Sequence, residues 1–534
     1  MIKDRFFDRK LYLDILEKRI AGLKDNYRQN IAIIGDELVG KTSLMFKLLD
    51  KFHDNRIIIV YLEVRHESLD SFARRFIGVL LYNFLVNSGV TLKEDLDFLI
   101  AKSAKYIPRT VEKIKLLLSA VDKRKRNNIF AELLSLCDTL NLETGKFCAV
   151  IFDEFHNLEN MGIKNLYREW SKLLISQKNT MYIIISSMKF KTRAILSKNL
   201  SLLFGNFEVI TIEPFDIKTS EEYLEHRVGG LNPDNSLRNF LVHFTGGYPL
   251  YLEVISDALL KSNQLNNRLN LADILENLLF DSSGILNQRF SNYIKRFLDL
   301  SCSNDYISII YLIASGRNKI KDIAHILRKN RKELGSRINH LLELDTITRS
   351  ADFLKINDRV FGFWLRFVYQ EKLHSLTFDA KNQKEKFRGN IEGMIQDFFL
   401  NASKPVPERL TEVLHLFEDE MIQIERKKIR LNHFREIRPL EFNNRSLKDG
   451  LLGRSADSLW IMAFKREALT EDDIAEFVRE CKKYRHKLQR KIIVTLQDID
   501  ANTRLKALEE RIWTWDINSL NQILDLFSKP WVIA

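Results

Sequence analysis

The sequence contains few residues that interrupt regular structure: 8 prolines and 20 glycines among 534 residues. With so few breakers, we expect long helices to dominate and flexible linkers to be rare. The four cysteines lie far apart without a CxxC spacing, which argues against a zinc site or a disulfide framework. We expect reduced thiols that serve mostly in packing. They are Cys137, Cys148, Cys302 and Cys481.

No apolar run in the sequence is long enough to span a membrane. The best runs, IIIVYL and MYIIISSM, have the length of buried strands. The N-terminus interleaves charges from its start, unlike a signal peptide. We therefore expect a soluble, cytoplasmic protein with no membrane partner.

The composition is that of an ordinary globular protein, with 45% hydrophobic and 29% charged residues. It excludes collagen-like, disulfide-scaffold and largely disordered chains. A length of 534 residues exceeds what one hydrophobic core supports, so we expect three or four domains. The net charge of +12 is compatible with nucleotide or nucleic acid partners.

A phosphate-binding loop begins at residue 35. The apolar run Ile31 to Ile34 predicts a strand, the pattern G-x-x-x-x-G-K-[ST] follows at once, and residues 43–52 predict a helix. The glycines let backbone amides face phosphate oxygens, the lysine reaches the β- and γ-phosphates, and the threonine hydroxyl ligates Mg²⁺. The predicted nucleotide-binding residues of the loop are Gly35, Asp36, Glu37, Leu38, Val39, Gly40, Lys41, Thr42 and Ser43.

A second strand end supplies the acids that such a loop needs. Cys148 to Phe152 predicts a buried strand that ends in Asp153 and Glu154. We expect Asp153 to hold Mg²⁺ together with Thr42, and Glu154 to polarise the attacking water. The predicted catalytic residues are therefore Glu154 and Lys41, and the predicted cofactors are ATP and Mg²⁺.

Further apolar runs at 56–62, 181–185 and 207–212 alternate with helical patterns, including a helical insert at about 68–140. This alternation predicts an α/β fold with a parallel, doubly wound sheet and the site at the carboxyl ends of its strands. Ser186 and Ser187 end the fourth strand, beside the strand of Asp153. One of these serines could contact the γ-phosphate or the lytic water. The alternative is that both serines only cap the strand.

Four further segments form an ordered set along residues 1 to 370. They are Phe6-Phe7-Asp8-Arg9-Lys10 with Leu13, Asp153-Glu154-Phe155-His156, Pro214-Phe215, and Thr245-Gly246-Gly247-Tyr248-Pro249. With the phosphate loop, they resemble the predicted archaeal-type ATPases, a STAND branch of P-loop NTPases related to AAA+ proteins. The resemblance implies a helical lid in which Gly247 and Pro249 bind the nucleotide, with the proline segment against the adenine. It also implies that ATP binds between core and lid.

The segment after the fourth strand departs from this family. Lys189, Lys191 and Arg193 follow it, but their spacing assigns none of them as a sensor or arginine finger. We expect each to be a solvated charge at the start of a helix. Hydrolysis is therefore expected to be slow or to need a partner protomer, which favours a homo-oligomer.

Residues 306–369 predict a winged helix-turn-helix, with Arg331 to Leu344 as the third, recognition-type helix. Many basic residues surround that helix against only Asp322 and Glu333, which predicts a face for duplex DNA. The alternative is a winged helix that only packs against its neighbours and locks the nucleotide state. The basic residues are Arg317, Lys319, Lys321, Arg328, Lys329, Arg331, Lys332 and Arg337.

Residues 370 to about 386 are predicted to form a charged connector. For the part of the chain that follows, the same resemblance implies a PD-(D/E)xK nuclease-like domain. The matching residues are Asp449, Lys465 and a helical Glu392, but Ala463 stands where a metal-binding acid is needed. We therefore expect a degenerate nuclease fold that serves binding or assembly.

The predicted organisation has four parts: 1–215, a P-loop ATPase core; 216–300, a helical lid; 301–370, a winged helix; and 371–534, a degenerate nuclease-like α/β domain. The predicted function is an ATP-binding and ATP-hydrolysing STAND-type switch, acting on DNA or in an oligomer. Two alternatives remain open, an ATP-gated metal-dependent DNA nuclease and a nucleotide-locked scaffold without hydrolysis.

Overall fold

The structure, a computed structural model, describes most of the chain in two compact units. The first comprises Met1–Phe215, Tyr248–Leu250 and Glu343–Asp345, and the second the remainder. The described residues are 6–87, 95–122, 128–201, 207–231, 234–262, 268–298, 300, 303–371, 380–424, 427–442, 447, 449–484 and 488–533.

The first unit is built on a five-stranded parallel sheet in the order β2-β3-β4-β1-β5. Strands β1 and β4 are buried along their whole length, which explains their uninterrupted apolar sequences. The sheet confirms the predicted α/β P-loop fold. Its strands are β1 (Ile31–Ile34), β2 (Ile57–Glu63), β3 (Phe147–Asp153), β4 (Thr180–Ser186) and β5 (Glu208–Thr211).

Eight helices accompany this sheet in the described residues of the first unit. An aromatic cluster joins the predicted helical insert to the sheet: Phe152 of β3 lies 6.3 Å from Phe130 and 5.8 Å from Trp170 between ring centroids. The helices are α1 (Lys10–Gly22), α2 (Lys41–Lys51), α3 (Leu69–Val86), α4 (Leu96–Ser103), α5 (Pro108–Asp122), α6 (Ile129–Thr144), α7 (Leu166–Ser176) and α8 (Lys189–Lys198).

Five helices follow, at the positions predicted for a lid. Gly246 and Gly247 end the second of them with φ angles of 62° and 76°, and Pro249 begins the third, as expected for a glycine stop and a proline start. The helices are α9 (Ile217–Val228), α10 (Asn235–Thr245), α11 (Pro249–Ser262), α12 (Arg268–Leu279) and α13 (Ile285–Leu298).

Three helices, an antiparallel hairpin and a further helix then appear in the order expected of a winged helix. Phe361 and Trp364 lie in the core, and both are 2% exposed. The Trp364 indole donates a hydrogen bond to the Asn287 amide oxygen at 2.9 Å. The elements are α14 (Ser303–Ala314), α15 (Ile320–Leu327), α16 (Arg331–Glu343), β6 (Ile347–Ser350), β7 (Phe353–Ile356) and α17 (Arg359–Trp364).

The C-terminal part contains a second five-stranded sheet, in the order β10-β11-β12-β13-β14, and a separate β8–β9 hairpin. Strands β10 to β12 are antiparallel, and β12 to β14 are parallel. The elements are α18 (Ala380–Ser403), α19 (Val406–Leu414), β8 (Glu420–Ile424), β9 (Lys427–Leu431), β10 (Glu436–Glu441), β11 (Asp449–Arg454), β12 (Leu459–Lys465), α20 (Glu471–Cys481), β13 (Leu488–Thr495), α21 (Ala501–Glu509), β14 (Ile512–Trp515) and α22 (Ile517–Leu526).

Helix α18 packs against the lid helices α12 and α10. Phe387 stacks on Phe280 with 5.3 Å between ring centroids, and Phe398 contacts Phe240 edge-on at 5.6 Å. The predicted charged connector over 370–386 is therefore wrong from Ala380 onward, where the chain is already helical. The limits predicted for the four domains remain predictions.

A buried carboxylate, Asp525 of α22, joins three parts of the second unit. It accepts hydrogen bonds from Lys355 of β7, Arg359 of α17 and the Trp531 indole. Burial alone would raise the pKa of Asp525, but Arg359 and Lys355 outweigh it and lower that pKa to about 2. His243 of α10 contacts the same arginine. The lid helix α10, the winged helix and the C-terminal helix α22 therefore meet at one buried ionic centre.

Within the described residues, the structure contains no helix that is long and apolar enough to cross a membrane.

Candidate nucleotide-binding site

The phosphate loop connects β1 to α2. A Cβ atom at Gly35 would lie 2.3 Å from the carbonyl oxygen of Ile212, so only glycine fits between the two backbones. Gly40 precedes the helix with a φ angle of 89°, where a side chain would be strained. The side chain of Val39 is fully buried and packs into the core, so this residue offers only its backbone to a ligand.

The loop lysine is held by the loop itself. The Lys41 ammonium donates to the carbonyl oxygens of Gly35 at 2.9 Å and Asp36 at 2.7 Å, and the residue is 5% exposed. Burial lowers the pKa of Lys41, while the nearby acids Glu154 and Asp153 oppose that shift. A cation therefore stands among carboxylates at the start of α2.

The two predicted Mg²⁺ ligands meet at the end of β3. The Thr42 hydroxyl donates to Asp153 Oδ2 at 3.0 Å, although the two residues are 111 positions apart. The Tyr61 hydroxyl of β2 donates to the same oxygen at 2.8 Å, and the Glu154 amide donates to Oδ1 at 2.9 Å. Sequence reasoning missed Tyr61, whose only signal is its place near the end of the neighbouring strand.

The oxygens of Thr42 and Asp153 suit Mg²⁺, which prefers hard oxygen ligands and keeps several waters or phosphate oxygens. In the parts of the chain that the structure describes, no group of three or more His, Cys, Asp or Glu side chains is arranged to hold a metal. The donor set therefore fits a Mg²⁺ ion that takes two ligands from the protein, Thr42 and Asp153, and the others from a bound nucleotide and water.

Glu154 follows directly, with a φ angle of 49°. Its carboxylate accepts hydrogen bonds from the Ser187 amide at 3.0 Å and from the Ser187 hydroxyl at 2.8 Å. Burial raises the pKa of Glu154, and the Ser187 hydrogen bonds partly offset this rise. His156 lies 3.3 Å from the same carboxylate, and burial lowers the pKa of that imidazole to about 4.

The two serines that end β4 differ in what they contact. Ser187 binds Glu154, as described, whereas the Ser186 hydroxyl accepts a hydrogen bond from the Met188 amide at 3.0 Å and lies 3.0 Å from His156 Nδ1. Ser186 thus closes the turn after the strand, and Ser187 faces the acid predicted to polarise water. The position beside β3 is the one expected from the sequence.

Lysine 189, expected to be a solvated charge, is paired with the phosphate loop. Its ammonium lies 2.8 Å from Asp36 Oδ2, and the two side chains are 18% and 13% exposed. The Tyr248 hydroxyl lies 3.3 Å from the same oxygen. Lys191 is likewise paired, with Glu159 at 2.6 Å. The expectation of solvated charges is therefore wrong for both lysines, because their partners lie far away in sequence.

The lead-in and Pro214-Phe215 segments pack together within the first unit. The Arg9 guanidinium donates to the Glu213 carbonyl at 2.9 Å and lies 5.2 Å from the Phe215 ring centroid. Phe7 contacts the same ring edge-on at 6.2 Å. Of the GGxP motif, Gly247 belongs to the second unit and Pro249 to the first, and a nucleotide contact for either remains a prediction.

The sequence was compared with protein families. Residues 6–255 match the model of the family described as "ATPase domain predominantly from Archaea". Comparison with curated proteins found no match.

Several solved structures are similar to this chain. The Walker-type ATPase of Pyrococcus abyssi is 20% identical, with a TM-score of 0.48, and the match covers 68% of this chain and 96% of that one. The Aeropyrum pernix ORC2 protein, solved as ADPNP-ADP complexes, is 11% identical, with a TM-score of 0.41 and coverages of 73% and 95%. The Aeropyrum pernix ORC1 protein in complex with DNA is 12% identical, with a TM-score of 0.36 and coverages of 68% and 93%.

The basic face predicted on the winged helix is partly neutralised. Lys319 pairs with Glu418 at 2.9 Å and with Glu420, while Lys329 and Arg337 both lie 3.0 Å from Asp305. The sequence count included only Asp322 and Glu333, whereas these partners come from the start of α14 and from the chain around β8. Lys321 also lies 3.6 Å from Glu418. The side chain of Arg331 lies outside the described part of the structure. The other basic side chains of the set are exposed; they are those of Arg317, Arg328 and Lys332.

Two of the residues expected at a nuclease centre have ion-pair partners outside the expected set. Lys465 is paired with Asp473 at 3.3 Å, and this acid also caps α20 through Thr470. Glu392 lies on α18, where it pairs with Arg388 at 3.1 Å. Asp449 begins β11, which pairs with β12, and Ala463 is fully buried in β12. The resemblance to a nuclease fold remains a prediction.

Proposed function

We propose that the archaeal-type ATPase domain binds ATP with Mg²⁺ and hydrolyses it, and that turnover drives a STAND-type switch in the rest of the chain. The observation that carries this proposal is the meeting of Thr42, Asp153 and Glu154 at the strand ends beside the Lys41 loop. Phosphoryl transfer depends mainly on such positioning of charge.

In the proposed mechanism, Lys41 exchanges the two loop carbonyls for phosphate oxygens, which are stronger, charged acceptors. Thr42 and Asp153 would hold Mg²⁺, which would neutralise charge on the phosphates. Tyr61 keeps the Asp153 carboxylate oriented through its hydrogen bond. Glu154 orients the water and accepts its proton.

We further propose that hydrolysis is slow until a partner acts. The Glu154 oxygen Oε2 accepts two hydrogen bonds from Ser187, which competes with binding and deprotonating a water. The raised pKa of Glu154 keeps its basicity available once these hydrogen bonds are released. A second protomer or a bound ligand could supply that release.

The decisive experiment is steady-state ATP hydrolysis by wild type, Lys41→Ala and Glu154→Gln. We expect Lys41→Ala to lose nucleotide binding, and Glu154→Gln to bind ATP normally but lower the turnover rate at least a hundredfold. If Glu154→Gln left the rate unchanged while ATP bound tightly, a nucleotide-locked scaffold would replace the ATPase. If neither variant altered nucleotide binding or turnover, the site would be wrongly assigned.

For partners, we propose duplex DNA on the exposed basic side chains of the winged helix, with a homo-oligomer as the working assembly. Arg317, Arg328 and Lys332 support the DNA proposal because they are exposed. Replacing all three by alanine should weaken DNA binding and reduce its salt dependence, whereas the exposed Lys198→Gln should not. Equal affinity for DNA in all three proteins would refute the DNA proposal.

The homo-oligomer is tested by light scattering, which measures the molar mass of the protein with and without ATP.

A nuclease is the less favoured activity. Lys465 lies 3.3 Å from Asp473, an acid outside the expected set, and Ala463 cannot ligate a metal. Cleavage of duplex DNA with Mg²⁺ that disappears in Lys465→Ala would reverse this order.

A further inference from the structure

The phosphate loop of this chain carries two acids, Asp36 and Glu37, at its second and third positions. Together with Asp153 and Glu154 they place four carboxylates near the Lys41 ammonium. A nucleotide triphosphate adds more negative charge to the same place. Like charges at short range in a partly buried site repel strongly, so a loop of this composition needs compensation before it can accept a triphosphate.

Lys189 is placed to supply that compensation. Its ammonium lies 2.8 Å from Asp36 Oδ2, and both side chains are largely shielded from solvent. The start of its helix is held in turn, because the Phe190 amide donates to Asp345 Oδ2 at 3.0 Å in the first unit. The hydrogen bond from Phe190 to Asp345 therefore fixes the start of the helix that carries Lys189. The Lys189–Asp36 pair is a positioned, largely shielded contact and not a pairing of two surface charges.

We propose that Lys189 is a positioning residue for ATP binding, which neutralises and holds the Asp36 carboxylate so that the phosphate loop can accept a triphosphate. This inference rests on the proposed ATP binding. It assigns Lys189 a role that acts through Asp36, and it distinguishes this lysine from Lys41, which binds the phosphates themselves.

The test is a double-mutant cycle on the equilibrium affinity for Mg²⁺ with a fluorescent ATP analogue. Lys189→Gln should weaken binding about tenfold, the lower end for close charge pairs. In the Asp36→Asn background, the same substitution should weaken binding less than about twofold, since the carboxylate is gone. Lys189→Arg should bind within about threefold of wild type, and Lys198→Gln, on the same helix, controls for general charge loss.

Two further readouts separate this role from a structural one. Lys189→Gln should raise KM for ATP with kcat within about twofold, because the catalytic acids are untouched. Asp36→Asn alone should bind ATP more tightly than wild type, because it removes one negative charge from the loop that receives the triphosphate. The Asp36→Asn measurement still tests the inference if Lys189→Gln does not fold.

Several results would overturn the inference: an equal loss on Lys189→Gln in both backgrounds, no loss in either, or weaker binding by Asp36→Asn. An equal loss would mean that Lys189 contacts the phosphates directly. Failure of wild type itself to bind the analogue would remove the proposed function, and this inference with it.

Discussion

Replacing Asp525 by asparagine should destabilise the second unit strongly. The pKa of Asp525 is about 2, against 3.8 for a free aspartate. Since one pKa unit is 1.36 kcal/mol, the folded state gains about 2 kcal/mol from the ionised form. Asparagine also leaves Arg359 and Lys355 without their shared anion. Because these cations are 20% and 35% exposed, we expect about 3 kcal/mol, the low end for a broken buried pair.

The effect has a defined pH dependence. Asp525 has a lowered pKa in the folded state, so its stabilisation is fully present above about pH 4 and is lost as the pH falls toward 2. Between pH 7 and pH 3, the difference between wild type and Asp525→Asn should shrink by about 1 kcal/mol, which follows from the two pKa values.

Urea unfolding followed by tryptophan fluorescence at pH 7 and pH 3 measures both quantities. Glu509→Gln is the matched control, because its partner Lys506 is exposed and such pairs contribute about 0–1 kcal/mol. A loss below about 1 kcal/mol for Asp525→Asn at pH 7, or a loss that is the same at both pH values, would refute the reasoning about this ionic centre.

Three other predictions concern the nucleotide site. Gly35→Ala should lower the free energy of unfolding by about 1–3 kcal/mol through overpacking, and an unchanged melting temperature would contradict the close backbone approach. Tyr61→Phe should raise the Mg²⁺ concentration for half-maximal ATP hydrolysis about tenfold by freeing Asp153, and an unchanged requirement would exclude that support. Ser187→Ala should raise the pKa of Glu154 further, so the acidic limb of the kcat profile should move to higher pH, whereas an unmoved limb would disconnect the serine from the base.

The local geometry of the candidate nucleotide-binding site was predictable from the sequence. The loop at 35–42 lies between a short β-branched run and an amphipathic helix, and its geometry depends mainly on neighbours in the chain. Asp153 ends a buried strand, so its place at the carboxyl edge of the sheet followed from the parallel fold. In both cases the local structure is encoded by residue type and short spacing.

The second half of the chain was less predictable at the level of packing. Helix α18 begins within a charged stretch that was expected to be a connector, and its aromatic side chains cover lid helices. Strands β8 and β11 and helix α22 were not predicted as elements. Such short segments acquire their structure from neighbouring elements, since β-propensity depends strongly on packing context.

By itself, the sequence determined the phosphate loop, the acidic strand end and the alternation of strands and helices, because each depends on contiguous residues. Only the tertiary structure decided which charges meet. Lys189 pairs with Asp36, 153 positions away in sequence, and Lys319 pairs with Glu418, 99 positions away. Ion pairs form wherever folding brings opposite charges within reach in a partly desolvated place, and no periodicity or spacing in one sequence records that meeting.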